Sequence, residues 1–327
     1  VPNSANQRTS IETDQHAISA EIVQATKSVP SIHGCTRSPL VGFIHADTRR
    51  IFLLIPSGRG IPLPMTYTLF AVAILAVLRM LAPAPAVPSN HAPEIIDLTS
   101  TIDGTEYRCK VVINSEAIRG GAALLFLHGS GECGTDGEKM LHVGLPRSAK
   151  ENPEMWPFVL IVPQKPTRDS EWEDHDKAIT HMLDEAAKQG LYDPERLGIT
   201  GLSQGGHGTI TIASLHPDRF VAAAPVCPYV ERVWDTDGNR HPWPDAKSDA
   251  PGIVNAAKAL ASLPIWLHHG DSDVVVAVEN SRALHEALQS IDADTRYSEY
   301  EGVNHNSWDN AYVDKEFAAW FIEHCAD

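Results

Sequence analysis

A serine, an aspartate and a histidine that arrive in that order along this chain have the types and the setting to move an acyl group. The serine is Ser203, framed as Gly201-Leu202-Ser203-Gln204-Gly205. A serine hydroxyl is a weak nucleophile until a base within hydrogen-bond reach takes its proton. The Gly-x-Ser-x-Gly frame meets the other requirement, exposure. At the apex of a strand-to-helix turn the backbone is strained, and glycines two residues before and after let the chain pass closely enough to push the hydroxyl out of the sheet. The following helix would aim its unpaired N–H groups and positive dipole end at negative charge developing beside that hydroxyl. Because the frame often arises by chance, it carries weight only with a strand before it, a helix after it, and an acid and then a histidine later.

The carboxylates arrive at Gly270-Asp271-Ser272-Asp273, directly after the apolar run Ile265-Trp266-Leu267-His268. The histidine is His305 in Glu301-Gly302-Val303-Asn304-His305-Asn306-Ser307-Trp308. In this reading His305 takes the Ser203 proton, and Asp273 holds the imidazole in the required tautomer and stabilises its positive form. Alone, a loop histidine reads as a solvated one and a loop aspartate as a turn residue. Their ordered arrival at strand ends is what favours chemistry. The oxyanion formed by attack needs two backbone N–H donors. Gln204, after the nucleophile, is one candidate. Ser130, in His128-Gly129-Ser130-Gly131 after a buried apolar run, is the other.

Those residues need a framework, and the chain spells one out. Tyr107 to Ile113, Ala122 to Leu127, Phe158 to Val162, Leu197 to Thr200, Phe220 to Val226, Ile265 to His268 and Thr295 to Tyr300 read as strands. The third is expected to close at Pro163. Helical spacing runs from Asp174 to Lys188, from about Gly206 to Leu215 and from about Val313 to His324. Strands separated by helices imply an α/β fold with a mostly parallel sheet and helices on both faces.

Composition bounds the function. With 327 residues, 43% hydrophobic and 21% charged, the chain is globular and has room for one sizeable core. The formal charge is −16 although residues 1–64 carry more Lys/Arg than Asp/Glu, so the excess acid lies beyond them. Such a surface repels phosphate backbones, which argues against a nucleic-acid partner, and favours neutral or cationic substrates. The five cysteines, Cys35, Cys109, Cys133, Cys227 and Cys325, lack metal-site spacing and leave one or two disulfides open. Asp174-His175-Asp176 reads as a capped helix start rather than a metal site, and no cofactor fingerprint is present. Three tryptophans, Trp172, Trp234 and Trp243, fall in loops at the C-terminal edge of the sheet. There they would recognise an acyl or aromatic group, or else pack the loops down. The stretch from Val226 to Ile265 is too short and polar for a large covering domain, which points to an open site.

The motifs together resemble the α/β-hydrolase serine esterases of the feruloyl esterase, polyhydroxybutyrate depolymerase and predicted-peptidase type. The matching stretches are Leu127-His128-Gly129-Ser130-Gly131-Glu132, Val162-Pro163-Gln164, Asp193-Pro194-Glu195-Arg196, Gly201-Leu202-Ser203-Gln204-Gly205-Gly206, His269-Gly270-Asp271-Ser272-Asp273 and His305-Asn306-Ser307-Trp308. The Gly-x-Ser-Gln-Gly-Gly form is also similar to small carboxylesterases and acyl-protein thioesterases. The resemblance implies an α/β-hydrolase fold and a catalytic domain over residues 102–327. It implies that the second aspartate, Asp273, is the triad acid, and that the substrate is a small-molecule or polymeric ester of short-chain or aromatic type. A serine peptidase or thioesterase on the same triad is the alternative, and a non-catalytic binding protein on this fold is the alternative of another class. One departure stands out. The family often places prolines where this chain has Val274 and Ala277, which is expected to loosen the loop after the acid.

The N-terminal third reads differently. Residues 1–64 show no sustained period and are expected to be disordered or an upstream extension. Residues 65–86 form an apolar run ending in Ala84-Pro85-Ala86, the shape of a signal peptide and its cleavage site, with Met65 as a possible start. The competing reading is a membrane anchor through residues 65–82, although Arg79 shortens the run below the roughly 20 apolar residues a span requires. Residues 87–101 read as a linker. The expected location is secreted or periplasmic, with no stable membrane partner after cleavage.

Overall fold

The computed structural model describes residues 93–242 and 246–326. The expectations for residues 1–64 and 65–86, and for Trp243, therefore fall outside the described residues. Eight strands form one sheet in the order β1-β2-β4-β3-β5-β6-β7-β8. They are β1 Glu94–Ile102, β2 Thr105–Ile113, β3 Gly121–Leu127, β4 Val159–Gln164, β5 Tyr192–Leu202, β6 Ala222–Val226, β7 Ile265–Gly270 and β8 Thr295–Tyr300. β1 pairs antiparallel with β2, and β2 with β4; every other pairing is parallel. The central strands are apolar on both faces, as a sheet covered on both sides demands: Leu124, Leu125, Phe126 and Leu127 of β3 are all buried.

Strand boundaries differ from the sequence reading at β1, β4 and β5; β5 begins at Tyr192 rather than at the expected Leu197. β1 lies mostly inside the stretch 87–101 read as linker, so the domain begins before residue 102. Its apolar contrast is weak because it is an edge strand in which Ile96 and Leu98 are only partly buried, and pairing with β2 organises it. The strand expected to end before Pro163 continues through it to Gln164. The ladder to β3 stops at Ile161, while on the other side Pro163 lies opposite Cys109 of β2. The missing proline N–H thus falls where β4 has outrun one neighbour.

The helices are α1 Gly144–Glu151, α2 Asp176–Lys188, α3 Gln204–Leu215, α4 Pro251–Leu260, α5 Glu279–Gln289, the single turn α6 Trp308–Ala311, and α7 Lys315–His324. Residues of α2, α3, α4 and α5 pack in one core, on one side of the sheet. Leu145 and Ala149 of α1 and Phe317, Ala318, Trp320 and Phe321 of α7 pack in a second core on the other. Burying both faces fixes the sheet as a rigid platform. The loops after β5, β7 and β8 leave it at its carboxyl edge, where open parallel sheets place their sites. Among the described residues no helix is long and apolar enough to cross a membrane, and Cys109, Cys133, Cys227 and Cys325 are free thiols, so none of these four forms a disulfide.

Candidate active site

Ser203 joins β5 to α3 with φ 55° and ψ −116°, a left-handed conformation rare for a residue with a Cβ. The turn is held from both sides: the Ser203 N–H donates to the Val226 carbonyl at 2.9 Å and its carbonyl accepts from the His207 N–H at 3.0 Å. A Cβ on Gly201 or Gly205 would collide with the Leu127 carbonyl of the neighbouring strand. Only glycine fits at either place, which is the steric content of the motif.

The structure brings all three expected residues into one hydrogen-bonded chain. His305 Nε2 lies 2.9 Å from Ser203 Oγ, and His305 Nδ1 lies 2.6 Å from Asp273 Oδ2. With Asp273 as acceptor, Nδ1 carries the proton and Nε2 is free to accept from the serine hydroxyl. The Asp273 side chain is fully buried. Burial pushes its pKa up, but hydrogen bonds from His269 and His305 and from the Val276 N–H outweigh that and hold it well below the usual carboxylate range. Asp271 has another task. Its Oδ1 accepts the Gly302 N–H at 2.7 Å, stitching the acid loop to the histidine loop.

Where the family often has prolines, the loop after the acid is fastened by hydrogen bonds. Val274 has an N–H that proline would lack, and it donates to Asn304 Oδ1 at 3.1 Å, an atom that also accepts the His305 N–H at 2.7 Å. Val275 and Val276 donate to Asp273 Oδ1 at 2.8 and 2.9 Å. Beneath them, buried His269 points Nε2 at Asp273 Oδ2 (3.2 Å) and the Val276 carbonyl (3.0 Å), while Nδ1 faces Ser281 Oγ at 2.8 Å. Both Nε2 partners are acceptors, so Nε2 carries the proton and the Ser281 hydroxyl donates to Nδ1. Sequence reasoning missed Asn304 and His269 as supports, although both stand in stretches it singled out.

Ser130 opens a short 3₁₀ turn, Ser130–Glu132, and borders the same cleft as Ser203 and Gln204. The Gln204 N–H belongs to the first turn of α3 and has no intrahelical partner. His128 braces the Ser130 loop from below: its Nε2 accepts the Lys165 N–H at 3.0 Å, so Nδ1 carries the proton and donates to the Gly129 carbonyl at 2.6 Å. Burial pushes the His128 pKa down to about 3, which keeps the ring neutral.

Of the tryptophans, Trp234 borders the cleft. Trp172 does not. It is buried, donates Nε1–H to the His128 carbonyl at 3.1 Å, and lies so close to Gly208 of α3 that a Cβ there would meet its ring at 2.6 Å. The helix next to the elbow needed a flat apolar partner, and Trp172 is that partner. Asp174, His175 and Asp176 diverge: Asp174 pairs with Arg232 at 2.8 Å, His175 Nδ1 meets the Tyr107 hydroxyl at 2.8 Å, and Asp176 meets His216 at 2.6 Å.

The rim is built around Glu171, fully buried beside Trp172 and overlooked in the sequence for its neighbour's sake. One carboxyl oxygen accepts the N–H groups of Val233 and Trp234 at 3.0 and 3.1 Å. The other accepts from the Tyr229 hydroxyl at 2.6 Å and Gln204 Nε2 at 3.3 Å. Gln204 Nε2 also donates to the carbonyls of Arg168 and Ser170, and buried Lys165 donates its ammonium to the Ser170 carbonyl. Val233 to His241 forms a hairpin, closed by His241 N–H to the Val233 carbonyl at 2.7 Å and a bridge between Trp234 and Arg240. The cleft between floor and rim has a volume of about 490 Å³, counting the part open to solvent.

Known proteins resemble this chain in sequence and in fold. Residues 171–327 match the prolyl oligopeptidase family. An uncharacterized secreted protein of Arthroderma benhamiae is 32% identical over 137 residues, which cover 39% of this chain and 14% of the relative. A thermostable esterase of known structure superposes with a TM-score of 0.58 at 26% identity, over 70% of this chain and 62% of its own. A ferulic acid esterase superposes with a TM-score of 0.56 at 13% identity, over 72% of this chain and all of its own (100%). The chain thus spans a small part of the curated relative and somewhat under two thirds of the first esterase. These matches accord with the resemblance to α/β-hydrolase esterases carried by the motifs. On its sheet, its elbow and these likenesses, the chain is an α/β-hydrolase by fold, with residues 171–327 matching the prolyl oligopeptidase family.

Proposed function

We propose that this chain is a secreted serine carboxylic-ester hydrolase that works through an acyl-enzyme on short-chain or aromatic esters. The observation that carries the reading is the unbroken chain Ser203–His305–Asp273 at the elbow, facing an open cleft. Ser203 Oγ attacks the ester carbonyl as its proton passes to His305 Nε2, and buried Asp273 stabilises the imidazolium. The Ser130 and Gln204 N–H groups receive the developing oxyanion. His305 then protonates the departing alkoxide, and the alcohol leaves. In the second half His305 takes a proton from water, the hydroxide attacks the acyl carbonyl, and Ser203 departs with the proton from His305. The steps require no cofactor.

A cleft of about 490 Å³, counting the part open to solvent, has room for a small ester. Secretion is supported by the secreted relative and by the signal-peptide pattern of residues 65–86. The match to the prolyl oligopeptidase family favours a second reading, a serine peptidase on the same triad. Hydrolysis of p-nitrophenyl acetate and butyrate by the native enzyme, falling by a factor of roughly 10⁴ or more in Ser203→Ala, is the expected result. Turnover that survives Ser203→Ala overturns the mechanism, and cleavage of peptide anilides with every ester refused selects the peptidase.

A further inference from the structure

The charged side chains that line the cleft are positive, on a chain that is acidic as a whole. The formal charge is −16, yet the charged residues bordering the cleft are both arginines, Arg168 and Arg240, and no carboxylate joins them in its lining. Both are exposed. Nearby Arg232 is engaged by Asp174 at 2.8 Å and Glu173 at 3.8 Å. Arg168 makes no such ion pair among the described residues.

Both arginines are held on the rim by the framework that surrounds the nucleophile. The Arg168 carbonyl accepts Gln204 Nε2 at 3.1 Å, so the residue after Ser203 fixes the backbone from which Arg168 extends. Arg240 stands opposite Trp234 in the hairpin whose base Glu171 grips through the Val233 and Trp234 N–H groups. A cleft lined by one sign of charge concentrates its field, and a guanidinium presents a fork of donors that matches a carboxylate.

We propose that the substrates carry a carboxylate held by Arg168 and Arg240: a monoester of a dicarboxylic acid, with the anion on the acyl side, or an ester of a hydroxy acid, with the anion on the alcohol side. This rests on the ester-hydrolase reading and deepens it. It also reverses, for the cleft, the preference for neutral or cationic substrates that overall charge suggests. The net acidity still discourages polyanions, whereas the two arginines select one negative group.

Two pairs of esters test this. Mono-p-nitrophenyl adipate against p-nitrophenyl hexanoate puts the charge on the acyl side. 4-Acetoxybenzoate against 4-acetoxybenzamide puts it on the leaving group. In one pair kcat/KM should favour the anion by roughly tenfold at low salt, the scale of two partly exposed ion pairs, and the preference should shrink as salt is raised. In R168Q/R240Q the ratio within that pair should fall to near one, and in Arg168→Glu it should invert. A neutral preference in both pairs, or an anion preference that persists in R168Q/R240Q, overturns the proposal while leaving the hydrolase reading intact. Calorimetry on Ser203→Ala separates the two readings. If the native enzyme hydrolyses no ester but Ser203→Ala binds 4-acetoxybenzoate more tightly than the amide, and loses this with the arginines, the hydrolase reading alone falls. If no ester is hydrolysed and neither ligand is preferred, both fall.

Discussion

Ser203, Asp273 and His305 stand just beyond the ends of three parallel strands, whereas Arg168, Trp234 and Arg240 stand on a loop and a hairpin tied together through one buried carboxyl group, Glu171. The floor is located by the backbone ladder: β5 lies between β3 and β6, β7 between β6 and β8, and the triad's positions follow from that register. The rim is located by side chains that reach across the chain, from Glu171 to Tyr229, Val233, Trp234 and Gln204. A floor built on strand ends resists change because moving it would break two cores. A rim held by a few side-chain bonds can be rebuilt without disturbing the sheet, so substitutions in the floor and in the rim should have separable effects.

Asp273→Asn attacks the floor and should have the largest effect. The amide can present a donor to His305 Nδ1, which favours the wrong imidazole tautomer, so kcat for a small ester should fall by roughly 10⁴. Far-UV circular dichroism should remain native. A loss of only a few fold would mean that the floor does not depend on its buried acid.

Glu171→Gln attacks the rim. Its carboxyl meets four donors, and an amide nitrogen placed among them leaves donors facing a donor, at about 1–3 kcal/mol. For a domain of this size that is a fall in melting temperature of roughly 2–12 °C. KM should rise by a larger factor than kcat falls, since the hairpin bearing Trp234 and Arg240 loosens while the triad stays in place. A kcat loss as deep as that of Asp273→Asn would erase the distinction between floor and rim.

A further test is a dependence on pH. His128 braces the Ser130 loop and His268 lies in β7, packed against Phe317 and Tyr300; burial pushes both pKa values down to about 3 from 6.5. The unfolded chain therefore binds protons below pH 6.5 that the folded chain refuses. Stability is full above that pH and declines as the pH falls toward 3. Melting temperature should drop steadily between pH 7 and 4, and His268→Gln should give a shallower slope. An unchanged slope would show that His268 takes up its proton without opening the fold.

Much of the floor was legible from residue types. The apolar runs of β3, β5 and β7 are buried on both faces, so they stand out as unbroken runs, and the polar residues that follow their ends are the candidate site residues. The first strand was hidden because an edge strand with half-buried Ile96 and Leu98 lacks that contrast. Trp172 kept two readings, cleft contact or packing, because a tryptophan in a polar stretch looks the same whether it faces a cleft or packs on Gly208; the fold chose packing. Glu171 left no local signal, since its four partners come from residues 204 to 234, and closeness of that kind is created only by folding.

The sequence by itself determined that a serine would be forced out at Gly201-Leu202-Ser203-Gln204-Gly205, and that an aspartate and a histidine would follow two later strands. These are local matters of glycine sterics and apolar periodicity. Tertiary structure alone decided that Asp271 would stitch two loops while Asp273 met His305, that the Val274 N–H would fasten the acid loop through Asn304, and that Arg168 and Arg240 would share one cleft. The physical reason is that a hydrogen bond or a field in a cleft depends on distance in space, which sequence spacing does not carry across a sheet.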